Sequence, residues 1–444
     1  MTMLHRKEGY MIRTVKKQML ITVGFLMMVL LFTAFPARAT IDGLTGSEFN
    51  FTAQQGYVLA TEGNSILMWG YGVNGNMQYP GPTLILNEGD AITVTVTNQL
   101  SVPTSMVFPG QANVTASGGI PGLLAREALP GATVTYYFTA SNPGTYTYYS
   151  GTQPDLQVMM GLVGAIIIRP LGALPVVDPA VEPPPTGRAY GHDETRFNRE
   201  TLFLLTEIDP RINKLVEQGR MDEVDTTTFR AAYWFINGRD GPDTLAVAFE
   251  PTLPRQPYNS LPRMHPAEKM LLRMIGGGRD YHPFHCHGNQ HNQIAKDARL
   301  MQTAPGQGPD MRESVFTSAV GPGQTIDAIF SWTGTGLGWD VYGHAPTDPL
   351  EPFEDPAYHG VSVPVAMPSV ETIVAGQFFS GGPYLGTAGQ LPPGEGGFNP
   401  TSALFYMWHS HAERELTTNN IFPGGMLTFG IVEKWDVIIE PSNP

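Results

Sequence analysis

Histidines with metal-ligand spacing are concentrated in two short segments of this 444-residue chain. His282, His285 and His287 lie in HPFHCHG, and His409 and His411 lie in MWHSHAERE. With His291 counted, these segments hold six of the chain's 11 histidines. Residues two apart on a strand face the same side, so His285 pairs with His287 and His409 with His411. If the two strands are neighbours, four imidazoles converge, and neutral imidazole suits copper and zinc. The competing reading is an ordinary core or surface histidine. It is the better one for a single H-x-H, and the weaker one for two pairs at corresponding positions.

The elements that must position these residues are strands. Ala91 to Asn98 (AITVTVTN) alternates, with Ile92, Val94 and Val96 on one face and threonines on the other. Thr133 to Phe138 is similar, and 50 Gly and 39 Pro favour many turns between short strands. A Pro-rich stretch around 170–187 reads as a linker, and Asp209 to Gly219 is the best short helix. The chain also repeats itself. PGATVTYYF at Pro130 recurs as PGQTIDAIF at Pro322, YTYYSG (Tyr146 to Gly151) aligns with YMWHSH (Tyr406 to His411), and SMVFPGQ aligns with PFHCHGN. The expected fold is all-β, with two related domains. The expected boundaries are 1–39 for an export signal, 40–170 for the first domain, 171–198 for the linker, 199–437 for the second domain and 438–444 for a tail. The second domain is enlarged by an insertion around 340–400. Val107 and Pro109 stand where His285 and His287 stand in the second copy. Tyr149 and Gly151 stand where His409 and His411 stand.

The first 39 residues have a basic start (Arg13, Lys16, Lys17), an apolar run from Met19 to Phe35, and a small-x-small cleavage site at Ala37-Arg38-Ala39. Cleavage there is one reading and a retained N-terminal anchor the other. Removal leaves 20 basic and 39 acidic residues, a net charge of about −19. Such an acidic chain is a poor partner for nucleic acid or anionic lipid. Cys286 is the lone cysteine, so no intrachain disulfide can form. Export without disulfides is expected of a bacterial envelope protein, periplasmic or secreted. No P-loop, nucleophile elbow or C-x-x-C pattern is present.

Four segments together resemble the multicopper oxidase family, built of cupredoxin (plastocyanin-like) domains. YPGPTLILNEGDAITVTVTN is similar to the family's first-domain opening and FINGRDGPDT to a later-domain opening. HPFHCHG resembles H-P-x-H-L-H-G, and MWHSHAERE…FPGGM resembles the terminal H-C-H-x-x-x-H…G-M. The resemblance implies Greek-key sandwich domains and copper as cofactor, one or two ions at most, with zinc an alternative. It implies that His282 corresponds to a type 1 copper ligand, His285 to the type 2 ligand, and His287, His409 and His411 to type 3 ligands. Met426 resembles the methionine near the type 1 site.

The departures from the family pattern are large. The type 1 cysteine position is Ser410, and the last type 1 histidine position is Glu415. The first-domain H-x-H-G reads Val107-Phe108-Pro109-Gly110, and its second pair reads Tyr149-Ser150-Gly151. Without a thiolate a blue-copper centre does not form in the usual way, and laccase-type reduction of dioxygen is disfavoured. Three positions keep two readings. Tyr149 is a packing residue, or a ligand or redox-active group facing the histidines. Cys286 is a small apolar residue or a thiolate joining His282 and Met426. Glu413 and Glu415 are a solvated charge run, or one of them completes a site. The expected function is copper binding through a remnant histidine cluster with altered oxidoreductase chemistry on a small-molecule or metal substrate. The alternative is a non-catalytic scaffold for envelope structure or partner binding. In related two-domain enzymes the metal lies between neighbouring subunits, so the resemblance also implies a homotrimer.

Overall fold

Strand alternation in the sequence becomes two pairs of sheets in the computed structural model, which describes residues 41–172, 174, 177, 182–351, 353–362 and 403–439. The expected export signal, most of the expected insertion and the last residues of the tail lie outside the described residues.

In the first pair, a four-stranded sheet runs in the order Leu44–Thr45, Gly81–Asn87, Val163–Arg169, Gly144–Tyr149. A six-stranded sheet runs Asn76–Met77, Ser65–Val73, Glu48–Leu59, Ala91–Asn98, Thr133–Thr139, Thr115–Gly118. Ile92, Val94 and Val96 are buried, as their alternation predicts. On the other face, the Thr95 and Thr97 hydroxyls meet those of Thr135 and Thr133, each at 3.1 Å. Parallel neighbours such as Gly81–Asn87 with Val163–Arg169 sit beside antiparallel ones. Parallel pairing needs a crossover connection rather than a hairpin.

The second pair repeats this plan. One sheet has the order Tyr233–Ile236, Arg199–Ile208, Lys269–Gly276, Thr325–Ser331, His291–Lys296, Arg299–Leu300, with Glu313–Val315 also on His291–Lys296. The other has the order Arg263–Met264, Leu427–Val432, Leu404–Ser410, His282–Cys286, Thr317–Val320. Phe203, Phe284, Phe330 and Trp408 fill the space between them. Each such side chain contributes roughly 1.5–3 kcal/mol on burial. The expected helix is Pro210–Glu217, started by Asp209, whose carboxylate accepts from the Arg211 N–H at 3.0 Å.

The two halves meet through an apolar and a polar layer. Ile41, Ala165 and Ile167 pack with Leu202, Leu204 and Ile275. Beside them, buried Arg273 donates to Glu200 at 3.1 Å and to Thr145 at 2.9 Å. Thr145 donates to Asp327 at 2.5 Å, and Arg169 donates to Glu200 at 2.8 Å.

Candidate metal centre

The strand His282–Cys286 lies between Thr317–Val320 and Leu404–Ser410, with His285 directly opposite His409. Its alternation turns His282, Phe284 and Cys286 inward and Pro283 and His285 outward. The two faces carry different chemistry.

On the outer face, His285, His287 and His409 each offer a ligand nitrogen, all within 4.8 Å of one another. Nε2 of His287 and Nε2 of His409 are 3.2 Å apart. That is close to the edge of a tetrahedron with metal–nitrogen arms of about 2.0 Å. Ring nitrogens opposite the site are held from behind. Nδ1 of His409 is 2.7 Å from the Ser410 carbonyl, which can only accept, so the proton sits on Nδ1 and the Nε2 lone pair faces the site. Nδ1 of His285 is 2.7 Å from the Thr317 hydroxyl. Burial and the neighbouring rings of His287, His409 and His411 lower the His285 pKa to about 4, and burial likewise lowers that of His409. These imidazoles are neutral at pH 7, the form a metal requires. His411 is the outlier. Its ring centroid is 5.0 Å from that of His285, but its side chain is 53% exposed and lies 3.3 Å from Glu413. It stands at the rim. His291 points elsewhere, buried, with Nε2 2.7 Å from the Ser318 hydroxyl.

On the inner face, His282 is clamped. Its Nε2 is 2.9 Å from Glu207 and its Nδ1 is 2.9 Å from Glu415, with all three side chains buried. Glu207 comes from the facing strand Arg199–Ile208, and its other oxygen accepts from the backbone of Arg279 and, at 3.0 Å, Asp280. Burial alone would lower the His282 pKa, but the hydrogen bonds and charges of Glu207 and Glu415 raise it to about 9. His282 is therefore an imidazolium at pH 7. Backbone bonds gather Ser410, Glu415 and Met426 around it: Ser410 N donates to Met426 O at 3.0 Å, and Met426 N donates to Glu415 O at 2.8 Å. Glu415 is thus not part of a solvated run; the short 3-10 turn Glu413–Leu416 rolls it inward. Cys286 is buried in the core with Phe284 and Trp408, and burial pushes its thiol well above the usual range.

The first half shows what the same frame looks like without histidines. Val107 is bridged to Tyr149 just as His285 pairs with His409. Tyr149 is half-buried and packs against the first core. The repeat alignment read from the sequence is the alignment of the strands. Two things escaped sequence reasoning. One is Glu207, one of two carboxylates in a run of buried residues. The other is a second gathering of ligand-type side chains, Asp340, His344, Glu354 and His359.

Comparison with known proteins agrees with this frame. Residues 54–172 match the family model described as multicopper oxidase. Laccase abr2 of Aspergillus fumigatus is 42% identical over 97 residues, which is 21% of this chain and 16% of that protein. Multicopper oxidase MCE of Talaromyces pinophilus is 37% identical over 103 residues, 23% of this chain and 17% of that protein. The chain thus spans less than a fifth of the length of these relatives. Among solved structures, the multicopper oxidase mgLAC has a TM-score of 0.55 at 18% identity, covering 89% of this chain and 88% of that one. The blue copper oxidase from Nitrosomonas europaea has a TM-score of 0.54 at 18% identity, covering 87% and 86%. This likeness establishes the fold, a pair of cupredoxin-like β-sandwich domains.

Proposed function

The chain belongs to the multicopper oxidase family, and from that premise we propose that it is an exported copper-binding protein with one remodelled metal centre. His285, His287 and His409 hold the ion, and His411 joins from the rim. The observation that carries this reading is the convergence of three imidazoles, their ligand nitrogens within 4.8 Å of one another, each on a strand or just past its end. Copper is the family's metal, and zinc is the alternative for the same nitrogen donors. When bound, copper supplies one-electron redox chemistry toward a small-molecule or metal substrate. The chain's own part is to fix the His409 tautomer through the Ser410 carbonyl, to hold the His285 ring through Thr317, and to keep His285 and His409 neutral by burial.

The type 1 position does not fit copper. It holds a hydroxyl at Ser410 instead of a thiolate, and both nitrogens of His282 are engaged by carboxylates. This supports loss of laccase-type turnover, and it is the specific observation behind the second reading, a non-catalytic scaffold in the envelope. Periplasmic or secreted placement rests on the leader pattern. A homotrimer, carried over from the resemblance, would let Tyr149 of one subunit face the histidines of the next. The acidic surface argues against nucleic acid as a partner.

The test is reconstitution of mature protein with Cu(II), followed by metal analysis and electron spin resonance. One tightly held copper with nitrogen hyperfine structure, lost in His285→Ala/His409→Ala, is expected. Absence of bound copper, or binding indifferent to those changes, leaves the scaffold reading.

A further inference from the structure

A segment that shares no residue with the histidine ladder is organised around four ligand-type side chains. Among the described residues, 340–351 and 353–361 contain no helix or strand, yet the ends of the segment are joined by a bond from Asp340 N to Val361 O at 2.9 Å. Long irregular segments in compact domains are usually functional or stapled. Asp340 is buried, and its carboxylate accepts from four backbone N–H groups: Tyr342 at 2.8 Å, Gly343 at 3.1 Å, His344 at 3.1 Å and Gly360 at 2.9 Å. These bonds hold the carboxylate in the middle of the segment.

Of the two histidines around it, His344 poses a problem that a proton does not solve. Nε2 of His359 is 3.0 Å from the Asp348 carbonyl, an obligate acceptor, so the proton of the neutral ring is on Nε2. Its Nδ1 then turns a lone pair toward Glu354 Oε1, 3.0 Å away. Nδ1 of His344 lies 3.0 Å from Glu354 Oε2 and 3.6 Å from Asp340 Oδ2, yet it makes a hydrogen bond to neither. A proton on His359 would settle the first contact. At His344 the nitrogen is close to both oxygens without aiming a proton at either, which is how donors lie when they point at a shared third centre. Separations of 3.0–3.6 Å bracket the edge of roughly 3.3 Å expected for tetrahedral ligands with arms of about 2.0 Å. The outward nitrogen of His359 donating to a carbonyl is the usual support for a ligating histidine. Asp340 and Glu354 are almost wholly buried, and the histidine side chains are 15% and 14% exposed. The carboxylates are thus inside and the histidines partly at the surface.

We propose that Asp340, His344, Glu354 and His359 form a second metal site that takes one zinc(II) ion and staples this segment. Four protein donors of mixed nitrogen and oxygen type leave no open position, as in structural zinc sites. The ion ties residues 340 and 359 together, and its binding free energy is gained only when the segment is ordered. The site is separate from the His285 cluster, so either can fail alone.

The experiment uses full-length protein carrying His285→Ala and His409→Ala, stripped with chelator, loaded with Zn(II), desalted and weighed by native mass spectrometry. One retained zinc is expected, with protection of the segment from limited proteolysis that chelator reverses. Cobalt(II) in place of zinc should give the intense visible bands of a tetrahedral ion. Adding His344→Gln and His359→Gln, which keep neutral hydrogen-bonding groups, should abolish zinc, bands and protection while the circular dichroism stays unchanged. The proposal is overturned if the two-alanine protein retains no zinc, or if retained zinc survives the glutamine changes.

Discussion

His282 and His285 are three residues apart on one strand and live in opposite chemical worlds. His282 faces inward between two carboxylates and is held as a cation, its pKa raised to about 9. His285 faces outward among three other imidazoles and is held neutral, its pKa lowered to about 4. Burial disfavours the charged form in both. What differs is the company that the strand's two faces provide, and so one motif yields a structural ion pair on one side and a set of metal donors on the other.

That contrast can be broken most strongly at His282. His282→Ala leaves Glu207 and Glu415 buried without their cation, and loss of one partner from a buried ion pair costs about 3–5 kcal/mol. Urea unfolding should show that loss; a change within about 0.5 kcal/mol would mean the clamp is not structural. Next comes pH. The folded pKa of His282 lies above its unfolded value of 6.5, so its contribution is complete below pH 6.5 and is lost as pH rises through about 9. The span is worth up to about 3 kcal/mol, and denaturation at several pH values should give a flatter alkaline limb for His282→Gln. In metal-free protein His285 acts with the opposite sign. Its folded pKa is below the unfolded one, so stability falls as pH drops from 6.5 toward 4, and His285→Gln should flatten the acid limb. A smaller effect is expected at Thr317. Thr317→Val removes the hydroxyl behind His285 and should weaken copper binding roughly tenfold in a titration, with little change in unfolding. The smallest is a null. Ser410→Cys restores a thiol, but His282 has no lone pair to offer, so Cu(II) should produce no intense blue absorption. Its appearance would show that the carboxylates release His282.

Much of this contrast was legible in the chain. The period-two pattern of Ala91–Asn98 marks its buried face, and the internal repeat aligns Val107 with His285 and Tyr149 with His409, two pairs that the strands bring together in the same way. The convergence of His285, His287 and His409 followed from H-x-H spacing once the strands were neighbours. What stayed hidden depends on contacts between distant segments. Glu207 is 75 residues from His282 and meets it only because the two sheets face each other. Glu415 reads as charged surface until a 3-10 turn buries it. Asp340, His344, Glu354 and His359 follow no strand or helix period, since the described residues of the segment that gathers them form neither.

The polar layer between the halves has its own consequence. Arg273, Glu200, Asp327 and Thr145 are dehydrated together, and they draw on both sheet pairs. Pulling the halves apart would hydrate the Arg273–Glu200–Asp327 group of the second half and strip it of Thr145 and Arg169 from the first. Intermediates with one half docked loosely on the other are thereby disfavoured. The described sandwich pair should therefore melt as a single cooperative unit, with one transition in calorimetry rather than two.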